Sequence, residues 1–293
     1  MQPLPLQPLY DSPEPARANR DVPATATLPI TLLVITRDEA AVIGRCLDSV
    51  PFAAEKLVID SGSTDGTPDI ARRHGAKVVH KDWLGFGAQR NFATTQASHD
   101  WILALDADEV LSPELARELE EKLPELMKSP SAGAFLRRQT WYMGEPMRWY
   151  RPMVGEKLGR IYDRRRARWS DVRVHESLRF DGPTRTFRQR MIHHHNPTLL
   201  HRQLKILHYT ELKTRDWLDK QRPTRLWLAP FVFMAAFLKD YVLRLGFLDG
   251  GRGYVVSQVA ASYAVYKRLR YYEMVRNPAS RDHVDKFNDG FLP

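Results

Sequence analysis

ITLLVITRDE, residues 30–39, is an unbroken apolar and β-branched run that breaks off into charge. A continuous run, rather than an alternating one, is what a strand buried on both faces of a parallel sheet requires. The same form returns at 56–60 (KLVID), 76–80 (AKVVH) and 101–106 (WILALD), each separated from the last by a stretch of helical spacing. The order βαβαβαβ predicts an α/β fold, an open sheet wound with helices. Thr67-Pro68-Asp69 and Ser112-Pro113-Glu114 each place a capping hydroxyl before a first-turn proline and an acid, and Gly75 closes the first of these helices.

The chain has 293 residues, 43% hydrophobic and 27% charged, which fits one large or two modest globular domains and excludes a disordered or polytopic chain. Residues 1–28 are proline-rich and polar without an apolar core of signal-peptide length, and are read as a leader outside the fold. The single cysteine, Cys46, in an amphipathic helix over 40–50, excludes a disulfide framework or a cysteine zinc site and fits a reducing compartment. The net charge of +9 is unevenly spread. Residues 29–128 hold 11 basic against 17 acidic side chains, a balance of −6, whereas 129–293 hold 31 against 15, a balance of +16. The basic part predicts an anionic partner: nucleic acid, phosphorylated glycan or membrane surface.

Past residue 130 the pattern changes to arginine- and aromatic-rich runs, 134–142 and 159–163, of antiparallel type. From 198 it turns helical. LWLAPFVFMAAFL (226–238) is a thirteen-residue apolar stretch, short of the roughly 20 residues a spanning helix needs. A second stretch, 254–266, follows Gly246, Gly250, Gly251 and Gly253 and ends in Lys267, Arg268 and Arg270, so that the two are read as a helical hairpin lying on a membrane.

Ligands of doubly wound sheets bind at the carboxyl ends of the strands. Here those ends are polar: Thr36-Arg37-Asp38-Glu39, then the turn 60–67 (DSGSTDGT), then Asp106-Ala107-Asp108-Glu109. Asp106 and Asp108, one residue apart at a strand end, suit a hard divalent cation, magnesium or manganese, together with the sugar hydroxyls of a nucleotide. Asp65 and Gly66 are read as turn residues, Asp60, Asp106 and Asp108 as functional, and Arg164, Arg165, Arg166 and Arg168 as a solvated face. His193, His194 and His195 do not form a zinc trio, because adjacent strand side chains point to opposite faces.

TLLVITRDEAAVIGRCLDSV (31–50), VIDSGSTDGT (58–67) and GFGAQRNFATTQASHDWILALDADE (85–109), in that order, resemble the inverting family 2 glycosyltransferases. The resemblance implies the GT-A nucleotide-sugar fold, an open mixed sheet with helices on both faces. Its catalytic domain would span 29–195, with a nucleotide-binding half at 29–128 and an acceptor half at 129–195, before a basic helical extension over 196–293. GFGAQRN, VHESL (174–178) and FLDGGRG (247–253) look most like bacterial lipopolysaccharide inner-core β-1,4-glucosyltransferases. Carried over by position, Thr36 and Glu39 border the uridine pocket, with Arg37 between them, and Asp60 faces the base. Asp106 contacts the ribose, Ala107 lies beside it, and Asp108 binds the metal. Gln89, Arg90 and Asn91 lie near the donor sugar and phosphates. The acceptor side would supply the catalytic base, Glu176 or else Asp171, with His175 as a further metal ligand or phosphate contact.

These implications amount to a hexosyl transfer from a UDP-sugar to a lipopolysaccharide core or other lipid-linked glycan, by a cytoplasmic protein peripheral at the inner face of the cytoplasmic membrane. A transferase of the same fold acting on polyprenyl-phosphate or surface-polysaccharide intermediates is the variant of that reading. A basic nucleic-acid-binding protein is the alternative from another class, motivated by the +16 balance, but it leaves the acidic strand ends without a purpose. The chain lacks the Q-x-x-R-W signature of processive synthases; QRPTRLW (221–227) has the wrong spacing.

Overall fold

The computed structural model describes residues 27–170, 177–194, 199–223 and 225–284. Asp171, His175, Glu176, His195 and nearly all of the expected leader therefore lie outside the described residues. The chain forms two compact units. The first runs to Gln139 and resumes over Gly155–His194; the second holds Thr140–Val154 and everything after His194. The sequence puts the end of the catalytic half near 195 and Thr140–Val154 within it; by its contacts Thr140–Val154 groups with the helices.

In the first unit, β1 (Leu28–Thr36), α1 (Ile43–Asp48), β2 (Ala53–Asp60), α2 (Thr67–Arg73), β3 (Lys77–His80), α3 (Phe86–Gln96) and β4 (Trp101–Asp106) follow the expected alternation. β5 (Glu109–Leu111), α4 (Pro113–Lys128) and β6 (Gly133–Tyr142) come next. After the two-residue β7 (Glu145–Pro146) the chain returns as β8 (Val154–Asp163), β9 (Ala167–Trp169), β10 (Leu178–Phe180) and β11 (Thr184–His194). The main sheet has the order β3-β2-β1-β4-β8-β6-β11-β5. β1, β2, β3 and β4 are parallel, while β8 runs antiparallel to β4 and β11 antiparallel to β5, so the sheet is mixed.

The continuous apolar runs of β1 and β4 are explained by burial on both faces, whereas β3, at the sheet edge, is only partly buried. Ile30, Leu32 and Val34 of β1 pack with α1, α2 and α4, while Leu33 and Ile35 pack with α3 on the other side. Ser112 caps α4 as its sequence predicts, its hydroxyl accepting the Leu115 N–H at 3.1 Å. Thr67 does not cap α2. Gly66, at φ 88°, takes that position, and the Thr67 hydroxyl is bound to Asp65 instead. Of the arginines after β8, Arg165 and Arg168 are exposed as the sequence suggests, while Arg164 pairs with Asp100, Arg165 with Asp163, and Arg166 donates to the Pro130 carbonyl.

The second unit contains α5 (Leu199–Asp219), α6 (Ala229–Leu238) and α7 (Gly250–Arg276), around a small core of Tyr142, Met147, Tyr150, Met153 and Val256. FLDGGRG organises it. Asp249 accepts the backbone N–H groups of Arg148, Trp149 and Tyr150 at 2.7–3.0 Å, which is why the excursion joins the helices. Gly250 has φ 59°, and a Cβ on Gly253 would lie 1.7 Å from the Gly246 carbonyl oxygen. The expected hairpin is present: Phe237 and Tyr241 of one arm meet Tyr254 of α7 at 5.7 and 6.0 Å. Its first arm is longer than the apolar stretch suggests, because a short 3-10 turn precedes α6 and a π turn over Lys239–Leu243 prolongs it.

Gly253→Ala is accordingly expected to destabilise the helical unit by about 2 kcal/mol or more through overpacking against backbone. A thermal unfolding transition unchanged from the wild type would show that the contact relaxes freely.

Candidate active site

The strand order contains one topological switch. From β1 the chain steps outward to β2 and β3, then crosses back to place β4 on the other side of β1. The carboxyl ends of β1 and β4 lie side by side there, with Ile35 in register with Asp106, and this is where open α/β sheets bind ligands. Thr36 closes β1. Its Oγ1 is buried and has no hydrogen-bond partner among the described residues, a condition that costs stability unless a ligand or water answers it.

Two loops border the switch. Asp38, at φ 54°, accepts the Thr64 N–H at 2.7 Å and donates its own N–H to Ser63 Oγ at 2.8 Å. The Glu39 N–H donates to Thr67 Oγ1 at 2.8 Å and the Ala40 N–H to Asp65 at 2.9 Å. Asp65 is thus the turn residue its sequence suggests, with the added task of joining the loops. Asp60 also turns inward: its carboxylate accepts from the N–H groups of Gly62 and Ser63, both at 3.0 Å, and from the Ser63 hydroxyl. Arg37, by contrast, is exposed.

At the end of β4 four charged side chains interlock. Asp106 Oδ1 accepts from Arg90 at 2.5 Å and Oδ2 from Arg160 at 2.7 Å, while Arg160 also reaches Glu109 at 2.5 Å. The other Glu109 oxygen accepts the Asp106 N–H at 3.0 Å and closes the turn. Burial pushes the Asp106 carboxyl up, but Arg160 and Arg90 outweigh it and hold the group far below the usual carboxylate range. Glu109, fully buried, goes the other way: burial lifts its carboxyl against the pull of Arg160, and Asp106 adds to the lift. The sequence gives no sign of Arg160, which arrives on β8 by antiparallel pairing.

Asp108 stands beyond this network and is paired with no arginine among the described residues. Its Oδ2 lies 3.1 Å from His193 Nε2, and its backbone carbonyl accepts the His194 N–H at 3.1 Å. β11 brings both histidines there by pairing His193 with Glu109. Burial and Arg45 lower His194 to about 4, so it stays neutral at physiological pH. Setting aside a trio at 193–195 leaves His193 without a role in the sequence reading; its pairing with β5 supplies one.

α3 carries the other expected contacts. Gln89 is fully buried and its amide is occupied, donating to Ser61 Oγ and the Lys81 carbonyl, both at 3.1 Å, and accepting the Leu84 N–H at 3.2 Å. Asn91 exchanges two hydrogen bonds with the Trp169 backbone at 2.9 and 3.1 Å. Arg90 lies 4.6 Å from the Trp169 ring centroid. Gln89 and Asn91 therefore hold neighbouring loops, and Arg90 holds Asp106.

A divalent cation is testable against this donor set. Among the described residues no group of three or more His, Cys, Asp or Glu side chains is arranged around one point. Both Asp106 oxygens already face guanidinium groups. The carboxylate paired with no arginine among the described residues is Asp108, which has His193 Nε2 beside it at 3.1 Å; its hard oxygens are of the type that suits magnesium or manganese.

Residues 31–195 match the family described as Glycosyl transferase family 2. The chain is 30% identical over 271 residues to an uncharacterized glycosyltransferase of Rickettsia bellii, covering 87% of this chain and 90% of that protein. It is 28% identical over 257 residues to the lipopolysaccharide core biosynthesis glycosyltransferase LpsC of Rhizobium meliloti, covering 84% and 93%. Among solved structures it is similar to a mannosyltransferase from Pyrobaculum calidifontis in complex with GDP-mannose and Mn2+, at 15% identity and TM-score 0.48 over 86% of this chain and 90% of that one.

Arg160→Met is expected to cost about 3–5 kcal/mol at neutral pH, because it leaves buried carboxylate charge uncompensated. Glu109 has a folded-state pKa above its unfolded value, so the penalty is present above that raised value and fades as pH falls through it and the carboxyl takes up a proton. Thermal melts at a series of pH values from about 8 down to about 4 check this. A deficit that stays constant over the whole series would remove Glu109 as the cause.

Proposed function

The chain belongs to glycosyl transferase family 2, whose GT-A fold its mixed sheet adopts, and on that premise we propose that it transfers glucose from UDP-glucose to a lipopolysaccharide core, with inversion at the anomeric carbon. The observation that carries the reading is the switch point itself: an orphaned Thr36 hydroxyl on one side and, on the other, Asp108 as the carboxylate left over by the arginine network. The part LpsC is named for, in lipopolysaccharide core biosynthesis, supports the acceptor class.

In this reading the base lies against Thr36 and the loop of Arg37 and Glu39, with Asp60 shaping the facing turn. Each Asp106 oxygen holds one arginine and keeps a second lone pair, so a ribose hydroxyl can donate to it without breaking either ion pair. Ala107 is buried and sets the spacing to Asp108. Asp108 and His193 hold the divalent ion, which when bound neutralises charge on the departing diphosphate. The acceptor hydroxyl attacks the anomeric carbon from the face opposite the diphosphate, the bond to the diphosphate oxygen breaks, and the hydroxyl proton passes to a carboxylate. Glu176 is the proposed base and Asp171 the second candidate. Both belong to the segment bracketed by Ser170 and Ser177, which join through Ser170 N–H to the Ser177 carbonyl at 3.0 Å and Ser177 N–H to Ser170 Oγ at 2.9 Å. A lipid-linked acceptor puts this work at the inner face of the cytoplasmic membrane.

Thermal protection by a panel of nucleotide sugars, with and without Mn2+, identifies the donor, since a ligand of the native state raises its stability. UDP-glucose with Mn2+ is expected to protect most; protection by other nucleotides alone would refute the donor assignment. Asp108→Ala is expected to lose turnover and Mn2+-dependent UDP binding together, and retention of both would remove the metal assignment. Glu176→Gln is expected to keep UDP-sugar binding while transfer falls about a hundredfold to ten-thousandfold. Near-full activity there, with Asp171→Asn inactive, moves the base to Asp171.

A further inference from the structure

The helical run Leu226–Leu243 is 18 residues long, with a mean hydropathy of 1.6, yet only 6% of it is buried. One side is occupied by α7, where Phe237 and Tyr241 meet Tyr254. The other carries Trp227, Phe231, Met234, Leu238 and Val242, at successive spacings of four, three, four and four, the spacing of a single stripe along a helix. All five are exposed, Trp227 at 65% and Phe231 at 66%. Leu243 closes the run exposed, and Phe247 and Leu248 continue the exposed apolar surface past its end. A contiguous apolar stripe of this kind marks an interaction surface rather than ordinary scatter.

The charge around the stripe identifies what covers it. Arg222 and Arg225 precede it and Lys239 borders it, all exposed. The acid in the run, Asp240, is buried and paired with Arg244 at 2.7 Å, so it offers nothing to a cationic partner. An apolar centre with a cationic border is complementary to an anionic lipid surface. The run is about 27 Å long, short of a hydrocarbon core of about 30 Å. It also contains Lys239, and its inner side is held to an α7 that carries Lys267, Arg268, Arg270 and Glu273. It therefore suits the plane of the interface better than a crossing of it.

The geometry points to an in-plane docking face for an anionic bilayer, in which Trp227, Phe231, Met234, Leu238 and Val242 enter the acyl boundary while Arg222, Arg225 and Lys239 lie among the headgroups. The inference goes beyond the catalytic reading, since none of these residues belongs to the candidate active site.

Flotation of the full chain with vesicles of phosphatidylglycerol and phosphatidylcholine, and with phosphatidylcholine alone, tests it. The wild type is expected to float with the anionic vesicles at low salt and much less at high salt or with the neutral ones. Trp227→Glu with Phe231→Glu is expected to weaken binding by roughly tenfold or more per aromatic, with far-UV circular dichroism and UDP-glucose hydrolysis unchanged. Arg222→Glu with Arg225→Glu, which leaves the stripe intact, is expected to lose the salt-sensitive part. No flotation of the wild type, or flotation of the first variant equal to it, overturns the proposal. Resistance of the bound protein to alkaline carbonate overturns the in-plane orientation in favour of a span. A wild-type dimer that the first variant makes monomeric, without vesicle binding, gives the face to a second copy of the chain. Flotation without any UDP-glucose hydrolysis leaves the docking face standing and counts against the catalytic reading instead.

Discussion

The ion network of Arg90, Asp106, Glu109 and Arg160 is the constraint on which the rest of the candidate site depends. It ties α3, the end of β4, the start of β5 and β8 to one another through three charge-assisted bonds. Buried charges of this kind are tolerated only as a complete set, because each partner left alone would keep its full desolvation penalty. Two acids and two arginines cancel, and the Glu109 bond to the Asp106 N–H fixes the turn between them. What remains uncancelled is Asp108 at the crest of that turn, with His193 beside it. The network thus determines which of three neighbouring carboxylates is left without an arginine among the described residues, and that one is the ligand proposed for the cation.

Around it, polar side chains divide into those that hold the frame and those left to meet a ligand. Gln89 and Asn91 stand where the family pattern puts donor contacts, yet their amides are spent on Ser61, Lys81, Leu84 and Trp169. Asp60 and Asp65 are likewise spent on their own turn and on the loop after β1. Satisfying these groups internally makes the loops at the switch point rigid before any substrate arrives, which is how binding energy is kept for the reacting atoms. Thr36 is the counterexample: its hydroxyl is buried and without a partner among the described residues.

The helical unit follows a separate logic. Asp249 gathers three backbone N–H groups from the excursion between β6 and β8, and Gly253 permits a backbone approach to Gly246 that no side chain would allow. These contacts, rather than a large apolar core, fix the unit. They leave the apolar residues of the run before Leu243 with α7 on one side, so the helix keeps a hydrophobic stripe that no other described residue covers.

The parallel half of the sheet is legible in the chain. A strand buried on both faces must be apolar throughout, as 30–36, 57–59 and 101–105 are; 77–80, of the same form, lies at the edge of the sheet and is only partly buried. The acidic strand ends and the Ser112 cap are legible too, because both are written in a few adjacent residues. Thr67 looked the same as Ser112 locally and was claimed instead by Asp65 and by the Glu39 N–H from another loop. That Arg160 neutralises Asp106 and Glu109, that His193 faces Asp108, and that 140–154 groups with the helices could be seen only in the folded chain. Each of these depends on pairing between segments tens of residues apart, and the partner of a strand or a buried charge is selected by the packing of the whole domain, leaving no local pattern to read.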